Sequence, residues 1–328
     1  MKKSPLNFRL PATCYNADGQ YRRVGFELEF SGLTIAEAGR ALQKALGGRL
    51  SEKSLAESVL RVDSLGEFSI ELDWSYIKAK AAEEEQNNPS HWLELLSQSA
   101  ALLVPIEIVC PPLPLNKLDA LTPMIAALRE AGATGTEDSI VAAFGIHINA
   151  EIPRLDAAHL HAYLQAFALL QWWLVDNQEI NLTRKLSPYI DLYPETYLEQ
   201  LFSRKDPTLE TLMADYLEHN ASRNRALDML PLLAEIDTDR VNRAVGDDRI
   251  QARPAFHYRL PDCHIEKPDW SLTSAWDSWL VVEQLAGQQE TLEQLVDQFL
   301  ALARPLFGVS RSDWTEVISQ WHRDHVSA

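Results

Sequence analysis

Five stretches of this chain alternate with period two, and carboxylates predominate on their polar sides. In Val24–Phe30 the apolar side is Val24, Phe26, Leu28 and Phe30, and the other is Gly25, Glu27 and Glu29. In Val62–Trp74, Phe68, Ile70, Leu72 and Trp74 oppose Asp63, Glu67, Glu71 and Asp73. Val104–Cys110 leaves Glu107 opposite Val104, Ile106 and Ile108. Phe144–Ile152 sets Gly145, His147, Asn149 and Glu151 against Phe144, Ile146, Ile148 and Ile152. Phe256–Leu260 sets His257 and Arg259 against Phe256, Tyr258 and Leu260. Successive strand residues point to opposite faces, so each stretch reads as a strand with one face on a core.

A solvated strand face normally mixes Thr, Lys, Arg and Glu. Here carboxylates dominate, joined by two histidines, an asparagine and one arginine, and no lysine appears. Carboxylates gathered on adjacent strands repel, and must either protonate or recruit cations. A divalent metal answers this, and oxygen-rich ligands suit Mg2+ or Mn2+ better than a zinc site.

Arginines gather elsewhere. Between Arg223 and Arg259 stand seven of them (Arg223, Arg225, Arg240, Arg243, Arg249, Arg253, Arg259) and no lysine. Guanidinium forks grip phosphate and carboxylate bidentately, which lysine cannot do. The plainer reading is surface pairing with Asp228, Asp237, Asp239, Asp247 and Asp248. Arg253 and Arg259 stand out because they flank or occupy the RPAFHYR strand. Metal-binding acids together with arginines describe a nucleotide site.

Helical periodicity is clear over Ile35–Leu46, His91–Leu102, Asn116–Glu130, Leu209–His219, Thr291–Ala303 and Ser312–His325. Asp156 is placed to cap a helix running to about Asp176, in which Trp172 and Trp173 are expected in the core. The expected fold class is α+β. Of 328 residues, 47 are acidic and 30 basic, a formal charge of −17. That argues against a protein wrapped broadly on nucleic acid, and against a polybasic membrane anchor. No apolar run is long enough to span a bilayer. Lys2 and Lys3 lead into SPLNFRLPAT, with no apolar h-region, so no signal peptide is expected. Cys14, Cys110 and Cys263 are widely spaced and read as free thiols of a cytoplasmic protein.

Taken in order, VGFELEF, RVDSLGEFSIELDW, IEIVCPPL, FGIHIN, NLTRKLSPY, SRNRALDMLPLL and RPAFHYRLPDC resemble the amidoligase family. That family is a branch of the carboxylate–amine ligase superfamily of glutamine synthetase and glutamate–cysteine ligase. The resemblance covers roughly residues 20 to 265, and its specificity lies in the ordered set. It implies an antiparallel sheet curled into a cup with helices behind it, holding ATP and two or three divalent metals. It maps metal ligation onto Glu27, Glu29, Glu107 and His147, and the final strand's arginine onto Arg259. Asp63 and Glu71 lie where another acidic ligand is usual. The superfamily often has Glu-x-Arg on the last strand; His257-x-Arg259 replaces it, so His257 is a candidate ligand with one charge fewer. Asn149, at the second position of the HxN strand, favours hydrogen bonding to the cofactor over metal ligation.

The implied chemistry is ATP-dependent amide formation on an amino acid, peptide or similar small carboxylate, through an acyl phosphate. Arg259, Arg253 and Arg184 would hold phosphate or carboxylate. Asp63 or Glu71 would help deprotonate the amine. A separate glutamine amidotransferase supplying ammonia is the partner implied. The chain is expected to be one catalytic domain, 1–328, with a ligase-like core at 20–265 and a helical C-terminal cover at 266–328. Two other readings stay open: a relative that binds nucleotide or metal without catalysis, and a metal-dependent hydrolase using the same acids. GGRLSEKS (Gly47–Ser54) imitates a phosphate loop but has Glu52 where the second glycine belongs. No GxSxG or HExxH occurs.

Overall fold

A computed structural model describes residues 7–54, 56–72, 105–136, 144–178, 190–247, 249–304 and 308–325. Arg184, the expected helix His91–Leu102 and the NLTRKLSPY stretch lie outside the described residues. Strands and helices are mixed, and the sheet pairs β-strands antiparallel along most of its width, giving an α+β protein. By its contacts the chain forms two compact units. The first holds Met1–Phe8, Arg23–His147 and Pro261–Ala275; the second holds Arg9–Arg22, Ile148–Leu260 and Trp276–Ala328.

In the first unit, β1 (Arg23–Phe30) pairs with β5 (Ile106–Val109) and, at its start, with β6 (Leu113–Pro114). β5 pairs in turn with β4 (Gly66–Leu72), β4 with β3 (Glu57–Val62), and β3 with the edge strand β2 (Arg49–Ser54). On the other side β1 neighbours β7 (Ile146–Ala150), within which the two units divide after His147. The apolar sides behave as the alternation predicts. Phe26, Leu28, Phe30, Phe68, Ile70, Ile106 and Ile108 are fully buried. Each such side chain contributes about 1.5–3 kcal/mol relative to exposure. Helices α1 (Ile35–Leu46) and α2 (Thr122–Ala131) pack on each other, and α1 also packs on β3 and β4. The helices therefore take the apolar face and leave the acidic face clear of them.

α1 begins where the sequence supplies a reciprocal cap. The Thr34 hydroxyl accepts from the Glu37 N–H, while the Glu37 carboxylate accepts from the Thr34 N–H at 2.9 Å. It ends at Gly47, whose φ of +74° suits glycine, and Gly47 N–H donates to Gln43 O.

Val62–Trp74 is not one strand: β3 and β4 form a hairpin around Asp63–Leu65, closed by Leu65 N–H to Val62 O at 3.0 Å. Gly66, at φ +115°, supplies the left-handed residue the turn needs, with Pro111 packed against it. GGRLSEKS, which imitates a phosphate loop, contributes the polar edge strand β2.

In the second unit, α3 (Ala157–Asn177) is apolar almost all round and buried accordingly. Asp156 caps it, accepting from His159 N–H at 2.9 Å, and Trp172 and Trp173 are buried. Around it pack α4 (Glu195–Ser203), α5 (Leu209–Asn220), α8 (Gln289–Leu302) and α9 (Arg311–His325). α6 (Leu230–Val245) is kinked at Asp237, whose side chain caps the second half through Arg240 N–H. α7 (Leu272–Ala286) begins in the first unit and continues in the second. The short strands β8 (Leu227–Asp228) and β9 (His257–Tyr258) pair with each other, and β9 pairs with Ile148 of β7. Among the described residues, no helix is long and apolar enough to cross a membrane.

Candidate metal centre

Sheet register, not sequence proximity, assembles the first unit's acids. Glu29 on β1 lies directly opposite Glu107 on β5, Glu107 opposite Glu71 on β4, and Glu71 opposite Glu57 on β3. Directly opposed residues share a face, so four carboxylates from four strands form one lateral row. Glu57 is exposed, whereas Glu71, Glu107 and Glu29 are only partly accessible. Like charges so placed are costly without a cation.

β7 brings His147 to the end of this row, and the residue is 95 % buried. Its Nδ1 lies 2.8 Å from Glu27 Oε2, and its Nε2 lies 3.4 Å from Glu29 Oε1. Glu29 is tied down further, because its Oε2 accepts from the Gly145 N–H at 2.8 Å. Ligand atoms of Glu29, Glu107 and His147 lie within 4.8 Å of one another. Two carboxylates and one imidazole on three rigid strands can hold one divalent cation. Glu27, by engaging Nδ1, orients the ring and turns Nε2 toward Glu29. Behind Glu27, burial first and then the Glu27 charge push the Cys110 thiol far up, so it stays protonated and is no nucleophile.

The other residues singled out in the sequence fall as follows. Glu71 belongs to the row. Asp63 does not: it is exposed in the β3–β4 turn, at the opposite end of β4 from Glu71. In the second unit, Arg253 Nη2 donates to Asn149 Oδ1 at 2.7 Å, joining two residues named as candidates. Arg259 donates from Nη1 to the Arg223 carbonyl. His257 is 95 % buried and directly opposite Asp228, with Nδ1 3.6 Å from Asp228 Oδ2. Arg249 grips Asp247 bidentately at 2.8 and 2.6 Å, and Arg223 approaches the same carboxylate at 3.8 Å. Two of the clustered arginines are thus salt-bridged, as the plainer reading held. The Arg249 hydrogen bonds pull the Asp247 carboxyl down to about 2. Burial, then the Arg249 charge, lowers Arg223.

Sequence reasoning passed over Asp228 as a partner for His257. Its signal was present in RALDML, a short apolar run broken by a single acid. It also missed Arg22, which is 99 % buried and bidentate to Glu283 at 2.9 and 2.6 Å. Tyr163 and Trp279 donate to the same carboxylate at 2.5 and 2.8 Å. That cluster is saturated within the second unit and reads as a structural clamp.

A family profile described as "Putative amidoligase enzyme" matches residues 20–281. Neither the curated proteins nor the solved structures gave a match to the chain.

Proposed function

The chain belongs to the amidoligase family, which points to a ligase-type enzyme, and from that premise we propose an ATP-dependent carboxylate–amine ligase. Its carboxylate is an amino acid, peptide or similar small acid. The substrate carboxylate oxygen attacks the γ-phosphorus of ATP, the bond to the bridging oxygen breaks, and ADP leaves. The amine nitrogen then attacks the acyl phosphate, forms the C–N bond, loses its excess proton and expels phosphate.

The observation that supports this most is the acid row meeting His147 on adjacent strands. Its donor set fits Mg2+ or Mn2+, which would supply charge neutralisation for phosphoryl transfer. The chain's own part is to hold that charge in place. Glu29, Glu107 and His147 are the proposed ligands, with Glu27 setting the ring by its contact to Nδ1. Glu71, directly opposite Glu107, adds negative charge to the row. Arg253 with Asn149, and Arg259, are the proposed anion-binding residues of the second unit. Arg184 is proposed for the same role on the resemblance alone. The curled cup and a partner amidotransferase belong to the same proposal.

The test incubates purified protein with ATP, Mg2+, ammonium and the pooled common amino acids, and follows ADP and phosphate. Ammonium-dependent ADP release is expected, and Glu29→Gln should lower it by about 100-fold or more. ATP binding without turnover would favour the non-catalytic reading. Hydrolysis of a peptide or ester without ATP would favour the hydrolase.

A further inference from the structure

Two of the clustered arginines line a groove that the ligase reading does not use. It lies within the second unit, between α5 and α6, and its volume is about 660 Å³. One wall is Ala214, Leu217 and Glu218 of α5, whose spacing puts them on one helical face. The other wall is Asp237, Arg240, Arg243 and Ala244 of α6. It starts at the kink, where Asp237 leaves the helical region with φ −153° and ψ 88°. Apolar side chains from both helices thus lie among charges of both signs.

These charges do not cancel one another. Among the described residues, neither the Arg240 nor the Arg243 guanidinium has an ion pair or a hydrogen bond, although carboxylates line the same groove. Asp237 Oδ1 accepts instead from the Arg240 backbone N–H at 2.9 Å. Glu218 acts on Arg204 by charge alone. Opposite charges that share a groove without pairing keep their donors and acceptors for an occupant. An occupant that matches this lining has a carboxylate for the guanidinium forks, an ammonium for Glu218 and an apolar body for Ala214, Leu217 and Ala244. The volume falls in the range of about 300–1,000 Å³ that takes drug-sized ligands, the size class of a di- or tripeptide. We propose that this groove binds a short apolar peptide with free termini, as its zwitterion. The site goes beyond the ligase reading and does not depend on it.

The test is equilibrium dialysis of the full chain against alanyl-leucyl-alanine, without ATP or metal. Saturable binding is expected. Acetylating the peptide's amine or amidating its carboxylate should each weaken binding by about tenfold or more, the worth of one charge-assisted hydrogen bond. Free leucine, with the same termini on a smaller body, should bind more weakly than the peptide. Arg240→Gln combined with Arg243→Gln should weaken peptide binding by about tenfold or more, and Glu218→Gln should do so for the free-amine peptide but not for its acetylated form. Ala244→Trp, which fills the groove and leaves its charges in place, should abolish binding. Glu29→Gln should bind the peptide as wild type does, which separates this groove from the acid row. No saturable binding by the wild type overturns the assignment. So does peptide binding that is unchanged in the double arginine variant and in Ala244→Trp, or leucine binding as tight as the peptide's.

Discussion

Glu283 is a carboxylate almost without solvent, and four donated hydrogen bonds from Arg22, Tyr163 and Trp279 converge on it. Burying a charge is tolerable only when its partners are all present. Removing one partner leaves the other uncompensated. Arg22→Met is therefore expected to cost roughly 3–5 kcal/mol in urea-unfolding free energy. Arg22→Met combined with Glu283→Leu should recover much of that loss. A second residue-scale prediction concerns Asp247. Its carboxyl is held down to about 2 by Arg249, below the unfolded value near 4. A depressed folded value means stability that is present above about pH 4 and is lost as pH falls through 2. Asp247→Asn should thus be less stable than wild type at pH 7, with the gap closing toward pH 2. Denaturant titrations at the two pH values read it directly.

Elements differ in how plainly their sequences announce them. α1 was legible because Thr34 and Glu37 form a capping box ahead of a periodic apolar face. Thr34→Ala should cost about 1 kcal/mol by chemical denaturation. Burden at that cap also depends on pH: the Thr34 N–H and hydroxyl hold the Glu37 carboxyl below its ordinary range. Its contribution is present above the unfolded carboxylate value and is lost as pH falls through the folded one. β1, β5 and β7 were legible by alternation, and α3 by its Asp156 cap. The β3–β4 hairpin was not, because Asp63 and Glu67 stay in phase on either side of the turn and hide the break that Ser64 and Leu65 make in the alternation. Gly66 is the only residue there whose backbone needs betray it. Gly66→Ala, at φ +115° with a Pro111 carbon 3.1 Å from the added Cβ, should destabilise by more than about 1 kcal/mol. β2 was hidden for another reason: RLSEKS is an exposed edge with no apolar side to alternate. β8 is two residues long, too short to carry a period, whereas β9 falls inside the alternating stretch Phe256–Leu260.

At the scale of the molecule, the charge of −17 resolves by position. Part of the acid excess is a row built by register across four strands, Glu57, Glu71, Glu107 and Glu29. Alternation named Glu29, Glu71 and Glu107 but not Glu57, and which of them meet could not be read, since the pairing of β5 between β1 and β4 is set by folding over long sequence separations. This is why Glu71 and Asp63 looked equivalent in sequence and are not in space. The C-terminal helices are likewise integral to the second unit. Phe299 of α8 packs on Trp172, Phe202 and Trp314, and Trp314 Nε1 donates to Leu169 O at 2.8 Å. Deleting residues 287–328 would expose these aromatic faces, so the truncated chain is expected to aggregate or to lose its cooperative thermal transition, as light scattering and calorimetry would show. The acid row carries the functional account, and Mn2+ titration followed by electron paramagnetic resonance tests it most directly. Wild-type protein should bind Mn2+ saturably. Glu29→Gln and Glu107→Gln should each weaken binding by about 10–100-fold, while Glu57→Gln, at the exposed end of the row, binds as wild type does. No saturable binding by the wild type, or equal binding by all three variants, would contradict the account.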